Sequence, residues 1–170
     1  MARRTGFYNN LIERVRSLAG VRSAAVTTNL PLYRQGNSVG VQLEGKPAPQ
    51  PGQELIVVTR IVSPGYFDTM SIPLLAGRQL NDHDTENSPN AVVISETMAH
   101  RYWPGEDAVG KRLAVGRVQS DADWIQVVGV VKDVKEDLFN YRINRPVWYV
   151  PYAQVENNFP LNLVVRSRAD

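Results

Sequence analysis

Residues 55–70, LIVVTRIVSPGYFDTM, contain the change of pattern that decides the fold. The first eight residues are rich in β-branched side chains, which predicts a central strand. Ser63 and Pro64 then favour a helix start, because serine caps helices and proline suits the first helical position. The short helix that follows is expected to bury three side chains, Tyr66, Phe67 and Met70. Residues 72–80, IPLLAGRQL, end this helix before a proline and continue as an extended segment, which together predicts a small βαβ-like unit.

The segments on the N-terminal side add one helix and two strands. Residues 5–19 predict a helix with one apolar face, because apolar side chains recur at spacings of four, four and three. This face consists of Phe7, Leu11, Val15 and Leu18. Gly20 is expected to end the helix in a left-handed cap. Residues 21–28 predict a strand, and the alternation of SVGVQLEG at 38–45 predicts a strand with one buried face.

The C-terminal part is dominated by strands. Residues 91–95, AVVIS, predict a strand whose last residue, Ser95, caps a helix running to about Trp103. Tyr102 and Trp103 are expected to anchor that helix on the sheet. Further β-prone runs predict strands at residues 111–115, 124–134, 146–152 and 161–167. Three helices and seven or eight strands without a regular alternation indicate the α+β class.

Composition limits the class of function. The chain has 170 residues, of which 43% are hydrophobic and 21% charged, as in one globular domain or two small subdomains. A net charge of +2 is too small to indicate nucleic-acid binding, and the basic pair Arg14 and Arg16 fits a solvated helix face. The absence of cysteine excludes disulfides, thiolate metal sites and cysteine nucleophiles. No apolar run approaches the roughly 18 residues that span a bilayer.

Residues 105–112, GEDAVGKR, nearly match the phosphate-binding pattern G-x-x-x-x-G-K-[ST]. A helix rather than a strand is predicted before this loop, and a strand rather than a helix after it. Glu106 and Asp107 would repel phosphate, and Arg112 has no oxygen to bind magnesium. We therefore interpret the loop as an exposed turn from helix to strand.

Residues 36–40, GNSVG, match the G-x-S-x-G nucleophile motif. That motif needs a strand before the serine and a helix after it, whereas a loop and an alternating strand surround Ser38. His83 and His100 are the histidines that could serve as its base. A small soluble serine hydrolase that uses Ser38 stays an alternative function, and we assign no catalytic residue.

Residues 81–87, NDHDTEN, form an acidic stretch around one histidine. The side chains concerned are Asp82, His83, Asp84 and Glu86. Alternating acids can begin a calcium loop, but the glycine and the twelfth-position glutamate of that loop are missing. We interpret the stretch as a polar connector and expect neither a metal site nor a cofactor. Just before it, Gly77 and Arg78 predict a turn in which Arg78 reaches a carboxylate.

Four stretches, taken in order, resemble one protein family. They are FYNNLIERVRSLAGVRSAA at 7–25, VSPGYFDTMSIPLLAGRQL at 62–80, AVVISETMAHRYWPGEDAVGKRL at 91–113 and VVGVVKDV at 127–134. With them the chain resembles the MacB-like extracytoplasmic core domain of ABC transporter permeases, the group related to the macrolide exporter and to FtsX. The resemblance covers nearly the whole chain.

The resemblance implies a non-enzymatic domain between two transmembrane helices, on the periplasmic side of the bacterial cytoplasmic membrane. It implies a mechanical role, in which a separate cytoplasmic ATPase hydrolyses ATP and this domain moves in response or handles substrate. The implied partners are the rest of the permease and that ATPase, with a second permease copy and a periplasmic adaptor as further candidates. A stand-alone binding domain is the remaining alternative.

The resemblance also implies a division of the chain. Residues 1–82 with 155–170 would form a porter-like subdomain of βαβ units, and residues 83–154 a β-rich insertion. Members of the family continue past the last strand with a further helix and strand. We therefore expect this chain to be a segment of a longer protein.

Overall fold

The fold combines short helices with one extensive sheet. The computed structural model describes residues 2–32, 37–50, 52–116, 118–135, 145–156 and 160–168. The helices in these ranges are α1 (Ala2–Arg16), α2 (Tyr66–Met70) and α3 (Glu96–Tyr102), with a 3₁₀ turn at Asp121–Asp123. The strands are β1 (Val21–Thr27), β2 (Ser38–Leu43), β3 (Leu55–Val62), β4 (Leu74–Gly77), β5 (Ala91–Ser95), β6 (Arg112–Val115), β7 (Ile125–Val131), β8 (Val147–Pro151) and β9 (Asn162–Ser167). The predicted α+β class is confirmed. Across the described ranges, every helix is too short or too polar to cross a membrane.

Six strands close into a ring, in the order β2-β6-β7-β5-β8-β3 and back to β2. Two successive amides of β3 show the closure. The Val58 amide donates to Pro146 beside β8 at 2.8 Å, and the Thr59 amide donates to Asn37 beside β2 at 2.7 Å. Because successive amides of a strand point to opposite edges, β2 and β8 lie on opposite sides of β3. β1 and β9 extend from the C-terminal end of β3, and β4 pairs with the C-terminal part of β7.

Apolar side chains from all six strands fill the interior of the ring together with α3. The buried members are Val41, Leu43, Val57, Val92, Ile94, Met98, Tyr102, Trp103, Ala108, Leu113, Val127, Val130, Trp148 and Val150. Tyr102 and Trp103 are 5% and 3% exposed, which confirms their predicted role as anchors. Ser95 caps α3 as predicted, since its hydroxyl accepts a hydrogen bond from the Met98 amide at 3.3 Å.

A second core lies between α2 and the outer face of the sheet. Tyr66 and Phe67 are fully buried there, and Phe67 meets the Tyr149 ring edge-on with 5.0 Å between centroids. Met70 packs against the same cluster. The predicted burial is therefore confirmed for Tyr66 and Phe67, whereas Met70 is only partly buried.

Two local predictions around α2 are wrong. Ser63 does not cap the helix, because its hydroxyl accepts a hydrogen bond from the Val26 amide of β1 at 3.0 Å, and α2 begins only at Tyr66. The extended segment after α2 does not return beside β3. It forms β4, which pairs antiparallel with β7. The turn between α2 and β4 contains Ser71 in the left-handed region, with φ 55°.

The face of α1 that meets the sheet also differs from the predicted face. The side chains that pack on β1 are Tyr8, Ile12 and Val15. Phe7 and Leu18 are instead 62% and 59% exposed. The predicted stripe and the observed stripe have the same helical spacing and overlap at Val15. Ala24 and Val26 of β1 pack against the observed stripe. The helix ends at Arg16, and the predicted terminator Gly20 lies in the turn beyond it with φ 84°.

The ring joins distant parts of the sequence. β2 and β3 come from residues 1–82, and they pair with β6 and β8, which come from residues 83–154. The division of the chain into a porter-like part and a β-rich insertion stays a prediction.

Candidate functional site

The GEDAVGKR loop is a largely exposed turn between α3 and β6, as predicted. Its amides are used within the fold: Glu106 donates to the Trp103 carbonyl at 3.1 Å, and Gly110 donates to the Val127 carbonyl at 2.8 Å. Lys111 pairs with Glu106 on the surface. A phosphate cradle needs free amides that converge on one point. The amides and the lysine of this loop do not have that arrangement.

Arg112, the residue that breaks the phosphate-binding pattern, holds three elements together. Its guanidinium pairs with Glu44 at the end of β2 and with Asp121 of the 3₁₀ turn, the latter at 2.8 Å. It also lies over the Trp124 ring, 5.9 Å from the centroid. The bonds to these carboxylates raise the pKa of Arg112 further above its usual range. The side chain therefore stays charged and ties β2 to β6 and to the 3₁₀ turn.

Ser38 lies exposed at the start of β2, where it pairs with Val58 of β3. His83 is exposed on the acidic loop, and His100 is exposed on α3. Among the described residues, no hydrogen bond joins the Ser38 hydroxyl to either imidazole. The structure does not bring a nucleophile and a base together here. Gly36 of the motif lies outside the described residues.

The acidic stretch at 81–87 is organised by an ion pair. Arg78 donates two hydrogen bonds to Asp84, at 2.9 and 2.7 Å, and the Asn81 amide donates a third at 2.8 Å. Burial alone would raise the pKa of Asp84, but these donors hold it below the usual value. The prediction that Arg78 reaches a carboxylate is confirmed. Across the described ranges, no group of three or more His, Asp or Glu side chains could hold a metal ion.

Contacts of Arg16, Ile12 and Asn9 attach α1 to the sheet. Arg16 donates to the Ala24 carbonyl through Nε at 3.1 Å and through Nη2 at 2.9 Å, and Nη2 also reaches the Pro64 carbonyl at 3.5 Å. Ile12 packs on β1 one turn before Arg16. At the middle of the helix, the Tyr152 hydroxyl donates to Asn9. These contacts connect α1 to β1, to the turn before α2 and to the end of β8.

A polar groove of about 290 Å³ lies beside this attachment. α1 forms one wall, and the segments 81–85 and 151–153 form the other. Burial raises the pKa of Tyr152 to about 12, and the nearby Asp82 carboxylate acts in the same direction. Tyr152 therefore stays protonated at neutral pH and keeps its hydrogen bond to Asn9. The groove lies between α1 and the segments 81–85 and 151–153, beside the contacts of Arg16, Ile12 and Asn9.

The sequence did not reveal the role of Arg16, which it assigns to a solvated face together with Arg14. Both side chains are exposed overall, but the Arg16 guanidinium also bonds to backbone carbonyls of β1 and of the turn before α2. Gly65 makes room for it, since a Cβ at that position would lie 2.7 Å from Arg16 Nη2. The residue pattern of α1 does not show that a glycine distant in sequence leaves space for Arg16, so this contact could not be predicted.

The sequence model of the MacB-like periplasmic core domain family matches residues 2–170. The chain belongs to this family. As a MacB-like periplasmic core domain, it is an extracytoplasmic domain of an ABC-type permease. The family recognised from the sequence motifs is therefore confirmed.

Relatives and solved structures agree with this assignment. Over 92 residues the chain is 30% identical to an uncharacterized ABC transporter permease, YvrN, of Bacillus subtilis, a match that spans 53% of this chain and 21% of that protein. The fold is similar to the periplasmic region of MacB from Actinobacillus actinomycetemcomitans, with a TM-score of 0.63 at 18% identity, over 96% of this chain and 65% of the other. It is equally similar to the extracellular domain of the ABC-type transporter YknZ from Gram-positive bacteria, with a TM-score of 0.63 at 17% identity, over 96% and 74%. The chain thus spans about a fifth of the curated relative that it matches.

Proposed function

We propose that this domain couples ATP hydrolysis in the cytoplasm to a conformational change outside the membrane, and that α1 receives the movement. Its partners in this role are the transmembrane helices of the permease and a cytoplasmic ATPase, with a periplasmic adaptor or a second permease as further partners on the outer side. The observation that carries the proposal is the attachment of α1 through Arg16, Ile12 and Asn9 beside an open groove. We assign no catalytic residue to the domain.

The attachment is suited to transmission because it joins three parts of the fold at one helix. A displacement of α1 acts through Arg16 on β1 and on the turn before α2, and through Asn9 on the end of β8. A hydrogen bond from a charged donor contributes roughly 1.5–3 kcal/mol when buried. Since Arg16 is exposed to solvent, its contribution here is about 1–2 kcal/mol in total. That is enough to hold the helix and small enough for the contact to rearrange in a transport cycle.

The test uses the complete permease, reconstituted with its ATPase. Spin labels at two exposed positions, Asn10 on α1 and Arg101 on α3, report the distance between the helix and the ring. This domain has no cysteine of its own, so two introduced cysteines label uniquely within it. We expect the distance to change when ATP is bound, and Arg16→Met to reduce that change by at least half.

Arg14→Met is the matched control, because it makes the same chemical change on an exposed turn of the same helix. We expect the control to keep both the distance change and the ATPase rate. A distance that does not respond to ATP in the parent permease would disprove the proposal. So would an Arg16→Met variant that responds as fully as the control.

A further inference from the structure

A cavity of about 540 Å³ opens at the far end of α2, on the opposite face of β1 from α1. Its lining is Arg22, Ser23, Phe67, Asp68, Ser71, Ile72, Pro73 and Arg166. The volume lies in the range of pockets that hold small ligands. The wall contains two arginines and one carboxylate, so it carries a net positive charge.

An irregularity in β1 explains why two successive residues line the same cavity. Side chains that follow each other along a strand normally point to opposite faces. Here Val21 pairs with Ser167 and Ser23 pairs with Arg166, so Arg22 is an extra residue in the ladder. Such a bulge redirects a side chain, and bulges are common beside binding sites. It brings Arg22 to the face where Ser23 and Arg166 lie.

The two guanidinium groups leave donors free for a ligand. Arg166 uses Nε to donate to the Thr69 carbonyl at 2.9 Å, which fixes the direction of the group. In the described part of the chain, neither the remaining nitrogens of Arg166 nor Arg22 take part in a hydrogen bond or ion pair. Asp68, the carboxylate of the cavity, accepts a hydrogen bond from Gln79 at 2.9 Å.

The third observation is a polar atom without a partner. The Ser23 hydroxyl oxygen is fully buried in the wall and has no hydrogen-bond partner among the described residues. Leaving a buried hydroxyl unsatisfied costs about 1–3 kcal/mol, so such groups need an explanation. Because Ser23 lines the cavity, rotation of its side chain would bring the hydroxyl to the open space, where a ligand oxygen would provide the missing partner.

We propose that this cavity is a binding site for a carboxylate group. Arg166 and Arg22 supply planar, two-donor faces that match a carboxylate, and Ser23 supplies a hydroxyl. The carboxylate can come from a small organic acid or from an acidic side chain of a protein. Both sources offer the same chemistry, so the experiment separates them.

The experiment is a titration of the 170-residue chain followed by the NMR signals of its backbone amides. The first probe is succinate, and the second is an acetylated, amidated tri-glutamate peptide. We expect saturable shifts at Arg22, Ser23 and Arg166. Arg22→Gln is expected to weaken binding about tenfold, the loss of one charge-assisted contact. Arg101→Gln, a charge removal on the surface of α3, is expected to leave the affinity unchanged.

Ser23→Ala adds a readout that distinguishes a binding site from a structural contact. Without ligand, removing an unpaired buried hydroxyl should leave thermal stability unchanged or raise it. With ligand, the same change should weaken binding several-fold. Saturation by succinate identifies a small-acid site, and saturation by the peptide alone identifies a docking site for acidic side chains. Shifts that never saturate with either probe would overturn the proposal, as would equal affinity in Arg22→Gln and Arg101→Gln.

Discussion

Gly129→Ala tests a close backbone approach in the sheet. Gly129 of β7 pairs with Gly77 of β4. A Cβ added at Gly129 would lie 2.1 Å from the Arg78 carbonyl oxygen and 3.1 Å from the Arg78 carbonyl carbon. Carbon and oxygen atoms that are not bonded normally stay about 3.3 Å apart or more. All the atoms concerned belong to the backbone, so the clash cannot be relieved by turning a side chain.

The loss of stability can be worked out from the backbone movement that the added methyl group requires. To admit the methyl group, β4 has to separate from β7 by more than about 1 Å, given the normal contact distance. Such a movement breaks the bonds that hold β4, including Arg78 to the Val128 carbonyl at 2.8 Å and Lys132 to the Pro73 carbonyl at 2.9 Å. Two or three bonds at about 0.5–1.5 kcal/mol each give a loss of about 1–4.5 kcal/mol. Overpacking of a tight site leads to a similar figure, about 1–3 kcal/mol.

Urea unfolding followed by circular dichroism measures this loss. With a slope of about 2 kcal/mol/M, the midpoint should fall by about 0.5–2 M. Gly6→Ala is the matched control, because Gly6 lies within α1 and has no atom within 4 Å of an added Cβ. The free energy of unfolding of this control should rise by up to about 1 kcal/mol, because alanine has a higher helix propensity than glycine. If Gly129→Ala unfolded within about 0.5 kcal/mol of the parent, a shift that a surface substitution can produce, the argument from close approach would be wrong.

Two further predictions concern the segment after α2. Ser71→Gly should raise the unfolding free energy by up to about 1 kcal/mol, because a left-handed conformation strains a residue that has a Cβ; thermal melting measures it. Asp84→Asn should lower that free energy by about 1–2 kcal/mol at pH 7, since it weakens the bidentate pair with Arg78. The pKa of Asp84 is depressed in the folded state. The stabilisation that ionised Asp84 gives the fold is therefore complete above its unfolded pKa near 4, and is lost as the pH falls through its lower folded pKa. Urea midpoints from pH 7 to 2.5 should therefore converge for parent and variant, whereas Asp82→Asn, an exposed neighbour, should follow the parent throughout.

The strands with a strong local signal could be predicted residue by residue. Residues 55–62 and 91–95 form strands with the predicted bounds, because each is a β-branched run between clear turn signals. The closure of the ring could not be predicted. It depends on β3 pairing with β2 at one edge and β8 at the other, and pairing partners far apart in sequence leave no local pattern. The buried face of α1 was missed for a related reason, since only the surface of β1 decides between two apolar stripes.

The charged contacts also divide into one that the sequence predicts and others that it does not. The sequence predicts that Arg78 reaches a carboxylate, and the structure identifies that carboxylate as Asp84, six residues further along the same loop. Arg16 and Arg22 cannot be separated from surface arginines by pattern. The first needs the space that Gly65 leaves, and the second needs a bulge that only the register with β9 creates. Basic residues near a strand or helix end thus become interpretable only when their neighbours in space are known.

β1 connects the two proposals. It joins the ring only at its C-terminal end, where Thr27 pairs with Val62 of β3. One face of β1 carries α1 through Arg16, and the other face forms the wall of the carboxylate cavity together with α2. A carboxylate bound there would bridge β1 and the end of α2, and so would stiffen the strand on which α1 moves. Coupling between two sites is reciprocal. If a bound carboxylate shifts the equilibrium between two positions of α1 by some factor, the affinity of the cavity must differ between those positions by the same factor.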